Sequence, residues 1–218
     1  MKTAVIFDLD GTLLDTLEDL LDASNHALTE CGFPKRTLPE LRAVVGNGAA
    51  NQIRKLLPEG TGEDTVQQVL KTYLPYYAAH CRGKTAPYRG IPEALRRLRQ
   101  EYALAIVSNK PDRAVKELCA DFFPGLYALG ETPDCPRKPA PDMLHKAMKH
   151  LGAERAVYVG DSEVDIATAA NGGVPCVSVT WGFRDEEQLL SAGARILCRE
   201  PEALFLCIQQ AERSRYGQ

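Results

Sequence analysis

The chain has 218 residues, 44% hydrophobic and 25% charged, fractions that exclude a disordered or collagen-like polymer. Its 26 Lys and Arg against 29 Asp and Glu leave a formal net charge of −3, without the basic footprint of a general nucleic-acid binder. A chain of this size buries roughly 70% of its unfolded surface without staples, as one large domain or as a core carrying an insert.

The opening segment MKTAVIFDLDG is too poor in apolar residues for a secretory signal, and no later run approaches the ~18 apolar residues of a spanning helix. These features point to a cytoplasmic protein that does not engage membranes. Seven cysteines lie scattered without a CxxC pair, and four histidines include no HExxH, so free core thiols are expected rather than zinc or a disulfide framework.

Residues 3–7, TAVIF, predict a buried strand that breaks into the polar turn Asp-Leu-Asp-Gly-Thr. Leu17, Leu20, Leu21, Ala27 and Leu28 then recur at helical spacing until Gly32-Phe33-Pro34 stops them. Further helical stretches run over 38–45, 49–57 and 64–79, with no strand signal between, so this block reads as an all-helical insert. From Tyr88-Arg89-Gly90 the rhythm changes. Helix 92–100, strand 103–107, helix 111–119, strand 126–129, helix 141–151, strand 156–159, helix 163–171 and strand 175–179 follow one another, and strand 195–198 with helix 201–210 closes the chain. Such alternation predicts an α/β fold, a parallel sheet with helices on both faces, whose ligands bind beyond the carboxyl ends of the strands. Arg96, Arg97 and Arg99 lie on a predicted helix and read as a solvated face.

The residues that follow the strands form a set. Asp8 and Asp10, with Thr12, follow the first; Ser108-Asn109 follow strand 103–107; Gly160-Asp161, with Asp165, follow strand 156–159; Lys138 precedes a helix. Converging carboxylates raise one another's pKa, and a hard cation such as magnesium relieves their repulsion. A hydroxyl, an amide and an ammonium suit phosphate oxygens. Singly, each residue also fits a turn, a helix cap or a solvated surface. All of them at strand exits in chain order point to magnesium-dependent phosphoryl transfer.

Asp8-Leu9-Asp10-Gly11-Thr12, Val107-Ser108-Asn109, Lys138-Pro139-Ala140-Pro141-Asp142 and Gly160-Asp161-Ser162-Glu163-Val164-Asp165 resemble, in order, the four motifs of haloacid dehalogenase-like phosphatases. The resemblance spans Val5 to about Gly182. It implies a Rossmann-like core over 1–14 and 86–218 and a helical cap over 15–85. It also implies Asp8 as the nucleophile that forms an aspartyl-phosphate, and Asp10 as the acid and base. Ser108, Asn109 and Lys138 would bind the phosphoryl group. Mg2+ would be held by Asp8, Asp10 through its carbonyl, and Asp161, with Asp165 and Thr12 in support. Dehalogenases of the superfamily lack the second Asp of the first motif, so Asp10 favours phosphate chemistry. Val45-Gly46-Asn47-Gly48 is similar to a cap segment of phosphoglycolate phosphatases, which makes Gly46, Asn47 and Gly48 specificity candidates and 2-phosphoglycolate the leading substrate. Pyrophosphatase, sugar-phosphate phosphatase, phosphomutase and a non-catalytic binding module are the alternatives. The expected partner is a small phosphorylated metabolite, met by a monomer or homodimer. Arg89, where the family commonly has Pro, reads as a selector of a second anion or as a solvated hinge residue, and Asn171-Gly172 replaces the usual Ala-Gly.

Overall fold

A computed structural model describes residues 3–217. In chain order the elements are β1 (Thr3–Phe7), β2 (Leu14–Asp15), α1 (Leu17–Glu30), α2 (Leu38–Val44), α3 (Ala49–Leu56), α4 (Glu63–His80), β3 (Ala86–Pro87) and α5 (Ile91–Leu98). Then come β4 (Ala103–Pro111), α6 (Asp112–Phe122), β5 (Tyr127–Glu131), α7 (Asp142–Leu151), β6 (Arg155–Gly160), α8 (Glu163–Asn171), β7 (Cys176–Val179), α9 (Glu186–Ser191), β8 (Leu197–Cys198) and α10 (Leu204–Tyr216).

Six strands form one sheet in the order β5-β4-β1-β6-β7-β8, and every pairing in it is parallel. β1 lies at its centre, in register with β4 from Ala4↔Ala103 to Phe7↔Ile106 and with β6 from Thr3↔Arg155 to Phe7↔Val159. Successive side chains of a strand point to opposite faces. Ala4 and Ile6 accordingly pack with Met143, Leu144 and Ala147 of α7 and Ala169 of α8. Val5 and Phe7 belong to the other core, with Ile91 and Leu95 of α5, Val115 and Leu118 of α6, and Ile208 of α10. Both faces are covered, which is why the strands read as nearly continuous apolar runs. The order reverses around β1, so the crevice beyond its carboxyl end is the place for a site.

Helices α1 to α4 contribute no strand to this sheet and pack on one another. The chain enters and leaves them through a short antiparallel pair, Leu14↔Pro87 and Asp15↔Ala86, which the sequence pattern did not predict because two residues hold no periodicity. Three further differences have local causes. β4 runs past the predicted end at 107, because an irregularity lets pairing resume at Pro111↔Glu131 and keeps 108–110 extended. The segment Asp185–Ser191, for which no element was predicted, forms α9 under a capping box between Asp185 and Gln188. The last helix begins as a 3-10 turn over Pro201–Ala203 and continues as α10 to Tyr216. All seven cysteines are free thiols, and no helix among the described residues is long and apolar enough to cross a membrane.

Candidate active site

Asp8 leaves β1 with its N–H donated to the Val159 carbonyl at 2.8 Å, which ties it to the end of β6. Its Oδ1 accepts from the Leu9 N–H at 2.7 Å and pairs with Lys138 Nζ at 2.8 Å. Oδ2 has no hydrogen-bond partner among the described residues and belongs to a residue lining a cleft. Lys138, only 2% exposed, also pairs with Asp165 Oδ1 at 2.7 Å and donates to Tyr158 Oη at 3.1 Å. Asp165 is fully buried at the start of α8, where its Oδ2 accepts from the Ser162 N–H and hydroxyl at 3.1 and 2.6 Å. The capping box thus aims the carboxylate that orients Lys138.

Asp161 is held differently. Its oxygens accept from the Thr12 hydroxyl at 3.0 Å and the Phe183 N–H at 2.7 Å, and it forms no ion pair among the described residues. Two glycines press against it: a Cβ at Gly11, whose φ is +82°, would lie 2.4 Å from Asp161 Oδ2, and one at Gly182 would lie 2.4 Å from its Cβ. Burial first, then the charge of Asp165, pushes the Asp161 carboxyl up to about 7. Asp8 is raised well above the usual range by burial and by Asp165, against the pull of Lys138. Burial opposes the Lys138 ammonium, but the Asp165 and Asp8 carboxylates hold it well above the usual lysine value.

Asp8, Asp161 and Asp165 each offer an oxygen, all within 4.8 Å of one another, with Lys138 as their one paired cation among the described residues. Three buried carboxylates against one ammonium, all hard oxygen donors, fit a divalent cation. Lys138, Tyr158 and Ser162 engage both oxygens of Asp165, which leaves Asp8 and Asp161 with lone pairs to spare.

A second cluster faces the helical insert. Asp10 Oδ1 pairs with Lys110 Nζ at 2.7 Å, and Ser108 Oγ donates to its Oδ2 at 3.4 Å. Lys110 also donates to the Tyr77 hydroxyl of α4 at 2.6 Å. Asn109 holds Lys138 in place: its Oδ1 accepts from the Lys138 N–H at 2.8 Å while Nδ2 donates to the Lys138 and Gly46 carbonyls at 3.0 and 3.2 Å.

The cleft where the sheet meets the insert encloses about 40 Å³, room for a few waters, so only a small molecule fits it. The sheet side supplies Asp8, Asp10, Ser108, Asn109 and Lys110. The insert supplies Gly46, Gly48, Gln52, Tyr73 and Tyr77, among others. Of the predicted specificity trio, Gly46 and Gly48 line the cleft; Asn47 is half-buried and does not. Thr12, Lys138, Asp161 and Asp165 sit outside that lining, and Arg89 is exposed and away from it.

Sequence reasoning missed Lys110, Tyr73, Tyr77 and Gln52. The signal for Lys110 was a charged residue in a strand that continues past its expected end, sharing the alternation of Ser108. It also missed two arginines that tie the insert to the core. Arg42 donates to the Gly182 and Phe183 carbonyls at 2.7 and 2.9 Å. Arg184 donates to the Arg42 and Val45 carbonyls at 2.9 and 3.0 Å while pairing with Glu163 at 2.8 Å.

A family model described as haloacid dehalogenase-like hydrolase matches residues 5–179. The chain belongs to this family. Among the relatives of this hydrolase is a phosphoglycolate phosphatase of Rhodobacter capsulatus, 36% identical over 196 residues, covering 84% of this chain and 87% of the relative. Phosphoglycolate phosphatase 1 of Pseudomonas aeruginosa is 31% identical over 218 residues, 95% of this chain and 80% of the relative. A crystal structure from Lactobacillus delbrueckii subsp. bulgaricus, described as a candidate phosphoglycolate phosphatase, superposes with a TM-score of 0.89 at 37% identity, covering 100% of both chains.

Proposed function

We propose that this hydrolase is a magnesium-dependent phosphatase that removes phosphate from small monoesters, with 2-phosphoglycolate as its substrate. The observation that carries the reading is Asp8, a buried carboxylate with Oδ1 fixed by two donors and Oδ2 free beside the cleft. The relatives named phosphoglycolate phosphatases and the small size of the cleft support the substrate.

In this reading Asp8 Oδ2 attacks phosphorus as the bond to the leaving oxygen breaks, giving an aspartyl-phosphate. Asp10 gives that oxygen its proton, then takes one from the water that cleaves the intermediate and regenerates Asp8. Lys138 and the Ser108 hydroxyl offset and orient the phosphoryl oxygens, and Asn109 keeps Lys138 in position. Asp8, Asp161 and the Asp10 carbonyl would hold Mg2+, which supplies positive charge against the phosphate, with Thr12 steadying Asp161 and Asp165 steadying Lys138. The insert, residues 15–85, acts as the cap over a core of 1–14 and 86–218. We place the protein in the cytoplasm as a monomer or homodimer; its free thiols support a reducing compartment.

The test is phosphate release from a panel of 2-phosphoglycolate, sugar phosphates, nucleotides, pyrophosphate and an aryl phosphate, each with magnesium and with a chelator. Metal-dependent preference for phosphoglycolate is expected. Preference for another member replaces the substrate and keeps the chemistry, while turnover indifferent to the chelator removes the metal.

A further inference from the structure

Lys110 has no role in the reaction derived above, yet it is a buried cation on the cleft wall, 7% exposed. An ammonium has three N–H donors. It forms an ion pair with Asp10 Oδ1 at 2.7 Å that is not aligned as a hydrogen bond, and it donates to the Tyr77 hydroxyl at 2.6 Å; no acceptor for its remaining N–H groups is found among the described residues. A buried donor without a partner is costly, which favours an acceptor that arrives with the substrate.

The place of that acceptor follows from bond lengths. Asp10 must hydrogen-bond the ester oxygen that leaves, and Lys110 forms an ion pair with the same carboxylate. In an ester of a 2-hydroxy acid, a carboxylate oxygen lies only about 3 Å from the ester oxygen, the reach of one further hydrogen bond from a shared neighbour. Among the described residues no other lysine or arginine lines the cleft, although Arg137 stands behind Gly48.

We infer that Lys110 is the specificity-determining residue of this site, a free N–H of its ammonium binding a substrate carboxylate one carbon away from the phosphate ester. The substrate class is then the phosphate monoesters of small 2-hydroxy acids. Tyr77 anchors the ammonium from the insert, so the subsite is complete only when α4 lies over β4. This deepens, and rests on, the phosphoglycolate reading.

The test compares kcat/KM for 2-phosphoglycolate and for its methyl ester, which keeps the ester oxygen and loses the carboxylate charge. Wild-type protein should prefer the acid by about 100-fold, near the upper end of what leaving one buried donor unpaired costs. In Lys110→Met that ratio should fall to within about fivefold, with the larger loss on the acid, and Lys110→Arg should restore part of it. Equal losses on both compounds in folded Lys110→Met would overturn the inference and leave Lys110 as a support for Asp10. Should Met not be tolerated, as thermal melting would show, Tyr77→Phe keeps the cation and removes one anchor. It should lower the ratio about fivefold, and an unchanged ratio would also overturn the inference. Wild type that hydrolyses other monoesters but not phosphoglycolate sinks the substrate reading itself, a failure visible before any variant is made.

Discussion

Two buried lysines flank Ser108 and Asn109, and they are built in opposite ways. The side-chain partners of Lys138 come from the core alone: Asp8 from the end of β1, Tyr158 from β6 and Asp165 from α8, with Asn109 on its backbone. Lys110 is completed from outside the core, by Tyr77 of the insert. The partners in the first cluster all belong to the core, and among the described residues the insert reaches it only through the Gly46 carbonyl that Asn109 also binds. The second exists as drawn only with α4 in place. In the proposed reading, bond-breaking chemistry belongs to the sheet and discrimination to a surface that two elements must share, a division by which one scaffold can change substrates without rebuilding its nucleophile.

Removing the proposed nucleophile is the hardest test of that division. Asp8→Asn keeps an oxygen for the Leu9 N–H and Lys138 and should still fold, while phosphate release falls by at least about 10⁴-fold on every substrate. Retained turnover would move the nucleophile elsewhere. Asp165→Asn attacks the same cluster from behind. It should lower kcat about 100-fold on acid and methyl ester alike, and breaking a buried pair should reduce stability by about 3–5 kcal/mol in denaturant titration. A substrate-selective effect there would erase the contrast between the clusters.

The charge excess around Asp161 predicts a pH dependence with a definite sign. Its carboxyl sits at about 7 in the folded, metal-free protein against an ordinary 3.8, so the folded state binds more protons than the unfolded chain between those values. Stability of the metal-free protein should fall as pH rises through that window. Magnesium should compensate, raising the melting temperature more at about pH 8 than at about pH 5. A magnesium effect that is larger in acid would contradict the arrangement. The smallest effect belongs to the seam: Arg184→Ala loses two hydrogen bonds to the insert and should raise KM for phosphoglycolate about tenfold with kcat little changed. Loss in kcat alone would mean that the seam serves the chemistry instead.

The same contrast governs what could be read from the chain. Asp8, Asp161 and their neighbours follow strands, and a parallel sheet gathers whatever follows its strands, so the core cluster was legible in the sequence. Lys110 escaped because strand periodicity put an end at 107, whereas pairing at Pro111↔Glu131 keeps the chain extended through it. Tyr73, Tyr77 and Gln52 lie on helices whose spacing marks a buried face without saying which neighbour covers it. The Arg42 and Arg184 contacts reach across about 140 residues of chain, to backbone carbonyls that have no sequence signature.

The little ribbon of Leu14–Asp15 and Ala86–Pro87 has an architectural consequence. Facing residues of an antiparallel pair stand about 5 Å apart, so the two places where the chain leaves and rejoins the sheet are neighbours. Seventy residues can hang from such a doorway, or seven, without altering a single pairing of the six-stranded sheet. For the protein engineer this is a socket: a foreign segment whose ends lie equally close could be spliced in between, bringing a new wall to an unchanged carboxylate cluster.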